Sequence, residues 1–124
     1  MKDALDLYYR GINYQENGNL DEALECFYQS LVIDEHFKTY HRIFQILKIQ
    51  GKLDECFSAI ESAYKLNNRN DKVASDYAEM LIQLCRYEEA VVILSDILKR
   101  NPSFKYAKNL IESIKVHNKQ INLP

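Results

Sequence analysis

Backbone punctuation is scarce in this chain: 3 Gly and 2 Pro in 124 residues. That scarcity disfavours a sheet-rich chain with many tight turns and suits helices joined by short connections. Cysteine is nearly as rare. Cys26, Cys56 and Cys85 form no close pair and leave an odd count, so neither a disulfide framework nor a CxxC or Cys/His ligand set is written here. Each reads as a small buried hydrophobe on an apolar helix face, consistent with a reducing cytoplasm. No apolar run approaches the roughly 20 residues of a membrane span. The N-terminus carries Asp3 and Asp6 where a signal peptide needs an apolar core. These features predict a soluble, cytoplasmic protein.

Charge of one sign is lacking overall but not locally. The formal net charge is -2, with 47% apolar and 27% charged residues, ordinary values for a single soluble domain and no sign of general nucleic-acid affinity. Residues 1–35 hold Asp3, Asp6, Glu16, Asp21, Glu22, Glu25, Asp34 and Glu35 against Lys2 and Arg10. Residues 36–52 hold Lys38, Arg42, Lys48 and Lys52 and no acid. This basic run is either a solvated face or a patch for an anionic partner.

What is present is repetition. Gly18-Asn-Leu-Asp-Glu-Ala23 returns as Gly51-Lys-Leu-Asp-Glu-Cys56 and again as Cys85-Arg-Tyr-Glu-Glu-Ala90. A unit that recurs at such a period cannot bury its apolar face alone and must stack on copies of itself. Apolar residues recur at spacings of three and four throughout, as in Leu5, Tyr8, Tyr9 and Ile12, or Leu20, Ala23, Leu24, Phe27 and Leu31. Helices are predicted at about 3–16, 20–33, 37–50, 53–66, 71–84, 87–100 and 104–117. Asp21-Glu22, Asp54-Glu55 and Glu88-Glu89 look like catalytic carboxylates, but they occupy one repeat position. There they sit in the first helical turn, where the macrodipole favours anions.

The aromatic, small and apolar positions of these units resemble the tetratricopeptide repeat family, whose unit is a 34-residue helical hairpin. Repeat one, about 4–36, carries Leu7, Gly11, Tyr14, Gly18, Leu20, Ala23, Phe27 and Ser30 in order. Repeat two, about 37–70, carries Tyr40, Leu47, Gly51, Leu53, Cys56, Ile60 and Ala63. Repeat three, about 71–104, carries Ala74, Ala78, Leu81, Tyr87, Ala90, Leu94, Ile97 and Pro102. The resemblance implies an all-α fold, a right-handed superhelical stack of antiparallel hairpins over residues 1–117. A capping helix at about 104–117 and a frayed tail at 118–124 complete it. Two departures stand out. Phe44 replaces the small residue of repeat two, which predicts a splayed or rotated hairpin. Cys85 replaces the turn glycine of repeat three, where a left-handed non-glycine costs about 1–2 kcal/mol, so another turn conformation is expected.

In this family the ligand usually lies in the concave groove. The matching positions are Leu5, Tyr8, Ile12 and Gln15, then Lys38, His41, Arg42, Gln45 and Lys48, then Lys72, Ser75, Asp76 and Glu79. The resemblance thus implies a non-catalytic protein- or peptide-binding scaffold. Leu5, Tyr8, Ile12, Lys38, His41, Arg42, Gln45, Lys72, Ser75 and Glu79 form its candidate partner-binding set. An acidic or carboxylate-bearing segment would suit the bases, since Arg grips carboxylates with paired hydrogen bonds. The family's clamp for chaperone C-terminal tails needs bases and amides where Tyr8, Ile12, Arg42 and Asp76 stand here, and only Lys72 fits, so chaperone-tail binding is not expected. No metal or other cofactor is expected. His36, His41 and His117 have no helical partner at ligand spacing, and neither a GxSxG elbow nor a glycine-rich phosphate loop occurs. Two alternatives remain: self-assembly through the apolar residues of the first helix, and a specialised secretion chaperone.

Overall fold

Asp3 begins the first helix by accepting a hydrogen bond from the Asp6 amide at 2.8 Å. Such an N-cap satisfies a donor that the helix cannot use internally. A computed structural model of the chain describes residues 3–120, with side chains through 117. Among the described residues there are seven α-helices and no strand: α1 (Ala4–Glu16), α2 (Leu20–Ile33), α3 (Phe37–Ile49), α4 (Leu53–Leu66), α5 (Asp71–Gln83), α6 (Tyr87–Arg100) and α7 (Lys105–Gln120). The capping helix runs three residues further than expected, so 118–120 belong to α7 and not to a frayed tail; residues 121–124, the rest of the expected tail, lie outside the described residues.

The chain divides into two compact units, Met1–Asn67 and Asn68–Pro124. In the first, α1 pairs with α2 and α3 with α4, and α2 also packs on α3. Its core is built from Ala23, Phe27, Ile43, Ile46, Leu47, Cys56, Ile60 and Ala63, all at or near zero exposure. The Ser30 hydroxyl donates to the Ala4 carbonyl at 2.7 Å, tying the end of α2 to the start of α1. In the second unit α5 pairs with α6, and α7 lies against both. Val73, Ala78, Leu81, Ala90, Leu94, Ile97 and Ala107 are buried there.

The helices approach closely where side chains are small. A methyl group added at Gly11 would stand 2.6 Å from a ring carbon of Phe27, which is itself fully buried. The splay expected at Phe44 does not occur: α3 meets α4 as extensively as α1 meets α2. Phe44 is buried, its ring flanked by His41 and Lys48 of its own helix. Cys56 and Ala59 on α4 are small and buried, which leaves room for the approach.

The Cys85 turn also departs from expectation. Cys85, expected as a buried hydrophobe on a helix face, is instead exposed in the turn, because it has φ 60°, in the same left-handed region as Gly18 at 79° and Gly51 at 73°. All three turns close with the same bonds. Asn19, Lys52 and Arg86 amides donate to Tyr14, Leu47 and Leu81 carbonyls at 2.8, 3.0 and 2.8 Å. Gly18, Gly51 and Cys85 amides donate to Gln15, Lys48 and Ile82 carbonyls at 3.1, 3.1 and 2.9 Å. This double closure satisfies the last helical carbonyls, and it outweighs the steric cost of a Cβ.

Candidate functional site

Within the first unit, α1 and α3 present neighbouring polar and aromatic faces. Gln15 connects them. It accepts from the Arg42 guanidinium at 3.4 Å, and its own amide donates to Gln45 at 3.3 Å. Gln15, Arg42 and Gln45 are half-buried, as are Tyr8, Ile12 and His41. The His41 ring stacks on Phe44, centroids 6.0 Å apart. Lys38, one turn before Arg42, is exposed.

Toward the start of α1 and α3 the same surface opens into a cavity of about 190 Å³. Ala4, Leu5, Tyr8, Tyr9, Ser30, Asp34, His36, Lys38 and Thr39 line it. Tyr8 is fixed by edge and tilted contacts to Tyr9 and Phe27, at 5.6 and 5.8 Å between centroids. His36 caps α3, its Nδ1 accepting from the Lys38 amide at 3.1 Å, and its ring stacks on Phe37 at 5.1 Å. The cap orients the chain just before Lys38.

Of the candidate residues predicted from sequence, Leu5, Tyr8 and Lys38 thus share one cavity, and Arg42 and Gln45 share one hydrogen-bonded group. Ile12 and His41 sit on the same two helices without lining the cavity. Sequence reasoning omitted Tyr9, His36 and Thr39 from the site. Tyr9 was legible as the third member of the first apolar stripe, whereas His36 and Thr39 depend on how α3 starts.

Lys72, Ser75 and Glu79 belong to α5 in the second unit. Ser75 is buried in the folded chain and its hydroxyl oxygen finds no hydrogen-bond partner among the described residues, so it offers no open surface. The Lys72 ammonium is engaged twice, with the Asp76 carboxylate at 3.1 Å and over the Tyr106 ring at 4.6 Å. Asp76, with a side chain 6% exposed, also accepts from the Tyr106 hydroxyl at 2.9 Å. Burial and then the Asp76 and Glu79 carboxylates push the Tyr106 phenol well above its usual range, so it acts as a donor. Lys72, Asp76 and Tyr106 thus satisfy one another.

Helical hairpins of this kind, repeated at one period, define a class of scaffold that presents helix faces instead of loops. The tetratricopeptide repeat family profile matches residues 47–114, over half of the chain, and the chain belongs to that family. Solved structures agree in fold. The first tetratricopeptide domain of Spaghetti (RPAP3) bound to the HSP90 peptide SRMEEVD is 23% identical at a TM-score of 0.80, covering 93% of this chain and 92% of that one. The second such domain of human RPAP3, in complex with an HSP70 peptide, is 19% identical at 0.76, covering 90% and 94%. The type III secretion translocator chaperone SycD of Yersinia enterocolitica is 20% identical at 0.75, covering 93% of each chain. Comparison with curated proteins gives no match.

Proposed function

We propose that this protein is a non-catalytic peptide-binding scaffold whose binding face is carried by α1 and α3. The observation that carries the proposal is positive charge without an ion-pair contact beside an aromatic cavity whose lining holds one acid, Asp34. Among the described residues, the Arg42 guanidinium meets only the neutral Gln15 amide, and Lys38 has no acidic partner. Leu5, Tyr8 and Tyr9 stand beside Lys38 in the cavity. An acidic or carboxylate-terminated segment with an apolar side chain fits that chemistry. The peptide complexes of the Spaghetti and human RPAP3 domains support peptide binding as the mode. Lys72 contributes less to this reading than Lys38 and Arg42, because Asp76 already neutralises it. The protein is proposed to act in the cytoplasm, which suits its three free cysteines. No helix among the described residues is long and apolar enough to cross a membrane.

The test is capture of partners from a lysate, identified by mass spectrometry, with the native protein and a Lys38→Glu/Arg42→Glu variant. The variant should lose the partner; equal capture by both proteins would refute the site. A second reading, self-assembly, is favoured by Leu5 and Tyr9 on α1, 58% and 57% exposed. Light scattering at two protein concentrations separates it, since a constant monomer mass rules it out. The SycD likeness keeps a chaperone for an unfolded cargo within the same proposal, and co-purification of such a cargo would mark it.

A further inference from the structure

A second cavity of the first unit lies away from the residues just described. It measures about 410 Å³ and opens between α2 and α4, with α3 beneath. That volume is in the range of peptide and small-ligand sites. Its floor is apolar, formed by Ile43 and Leu47, both essentially buried. Tyr28 and Tyr40 stand in its walls, and Asp54 and Glu55 at its rim.

The charges at this rim are of one sign and unspent. No lysine or arginine lines the cavity. Among the described residues neither Asp54 nor Glu55 has an ion-pair partner. The negative field reaches the wall, where burial and then the Glu55 carboxylate raise the pKa of the Tyr28 phenol. The Tyr40 hydroxyl donates its hydrogen bond to Glu35, so its oxygen is left as an acceptor. Position in the first turn of α4 explains why acids are tolerated here, but not an aromatic, apolar trough beside them.

We propose that this cleft binds an arginine side chain from an extended segment of a partner protein. The chemistry selects that occupant over other cations. A guanidinium is weakly hydrated, stacks on tyrosine rings and takes carboxylates through two parallel hydrogen bonds. Its methylene stem can lie along Ile43 and Leu47 while the head meets Asp54 and Glu55. A hard divalent cation would want more oxygen ligands and would gain nothing from an apolar floor. The cleft volume leaves room for residues on either side of the arginine.

The experiment is an NMR titration of the isotopically labelled full chain with acetyl-Leu-Arg-Leu-amide at low salt. Saturable shifts should cluster on the first half of α4 and around Tyr28 and Tyr40. The citrulline analogue, which keeps the shape and loses the charge, should give none. Asp54→Asn/Glu55→Gln should weaken binding by about tenfold or more. Tyr28→Leu should weaken it with the charges intact, which covers the case of a poorly folded carboxamide variant. Lys38→Glu/Arg42→Glu should not weaken it, since added negative charge can only favour a cationic peptide, so failure of the α1–α3 site and failure of this one are told apart. Absence of shifts at the cleft, equal shifts with citrulline, or undiminished binding by the carboxamide variant would overturn the proposal. So would a dimer of the free protein that dissociates on Asp54→Asn/Glu55→Gln, which would make a second copy the occupant.

Discussion

Gly11 is the residue on which the first hairpin depends. Alanine is the better helix former by about 1 kcal/mol, so helix propensity alone favours Gly11→Ala. Packing decides the other way. The new methyl would meet three Phe27 ring atoms at 2.6, 2.8 and 2.9 Å, and that ring is buried with nowhere to retreat. Overpacking of this kind costs about 1–3 kcal/mol. Thermal denaturation of Gly11→Ala should show a lower midpoint; a raised one would mean that the hairpin has slack. Cys85 gives the opposite expectation. Its backbone already holds the left-handed conformation at φ 60°, and glycine holds it without a Cβ penalty. Cys85→Gly should stabilise the protein by about 0.5–1 kcal/mol in urea unfolding, partly offset by loss of the Tyr87 hydroxyl contact to Cys85 sulfur.

Helix α3 is held at its start by a bond from one of its own residues to the connection before it. The Tyr40 hydroxyl donates to the Glu35 carboxylate. That hydrogen bond, with burial next, pushes the Tyr40 phenol up from 10 to about 12. The folded state therefore holds this proton more tightly than the unfolded chain does. The resulting stability is fully present below pH 10 and is lost as the pH rises toward about 12. Tyr28 and Tyr106 are shifted in the same direction and add to the fall. Absorbance titration of tyrosinate in Tyr40→Phe should lack one late-ionising phenol. The alkaline fall in stability of that variant should be shallower than that of the native chain. Helix α5 is held by a different device. Asp71 in its first turn accepts from Arg100 at the end of α6 at 2.9 Å, both side chains about a quarter exposed. This pair joins the two open ends of the α5–α6 hairpin.

A chain of stacked hairpins has local stability terms, because each hairpin contacts mainly its neighbours. Damage at Gly11 should therefore stay near Gly11. Hydrogen exchange of Gly11→Ala is expected to accelerate most in α1 and α2 and least in α6. Uniform acceleration would show instead a single cooperative structure. The same locality explains how one unit can carry two surfaces of opposite character. The α1–α3 face has Lys38 and Arg42 without acidic partners, and the α2–α4 cleft has Asp54 and Glu55 without basic ones. Both are built mainly on helices, with Asp34 and His36 of the α2–α3 connection completing the first, so little ordering is needed before either can bind.

The seven helices, their short connections and the membership of one repeat family were legible in the linear chain. Periodicity at three and four residues and the recurring turn phrase are local properties that any copy of the unit must keep. Helix starts and stops fell within a few residues of expectation for the same reason, since caps act over one turn. Tertiary packing alone decided the rest. Whether Phe44 splays its hairpin depends on Cys56 and Ala59 across the interface, and whether Cys85 keeps the glycine conformation depends on two hydrogen bonds that the turn recovers. Ser75 and Lys72 read as groove residues from spacing, yet one is buried and the other is bound by Asp76 and Tyr106, a partner thirty positions beyond Asp76. Spacing along a helix says which way a side chain leaves the backbone. It does not say what another helix brings to meet it.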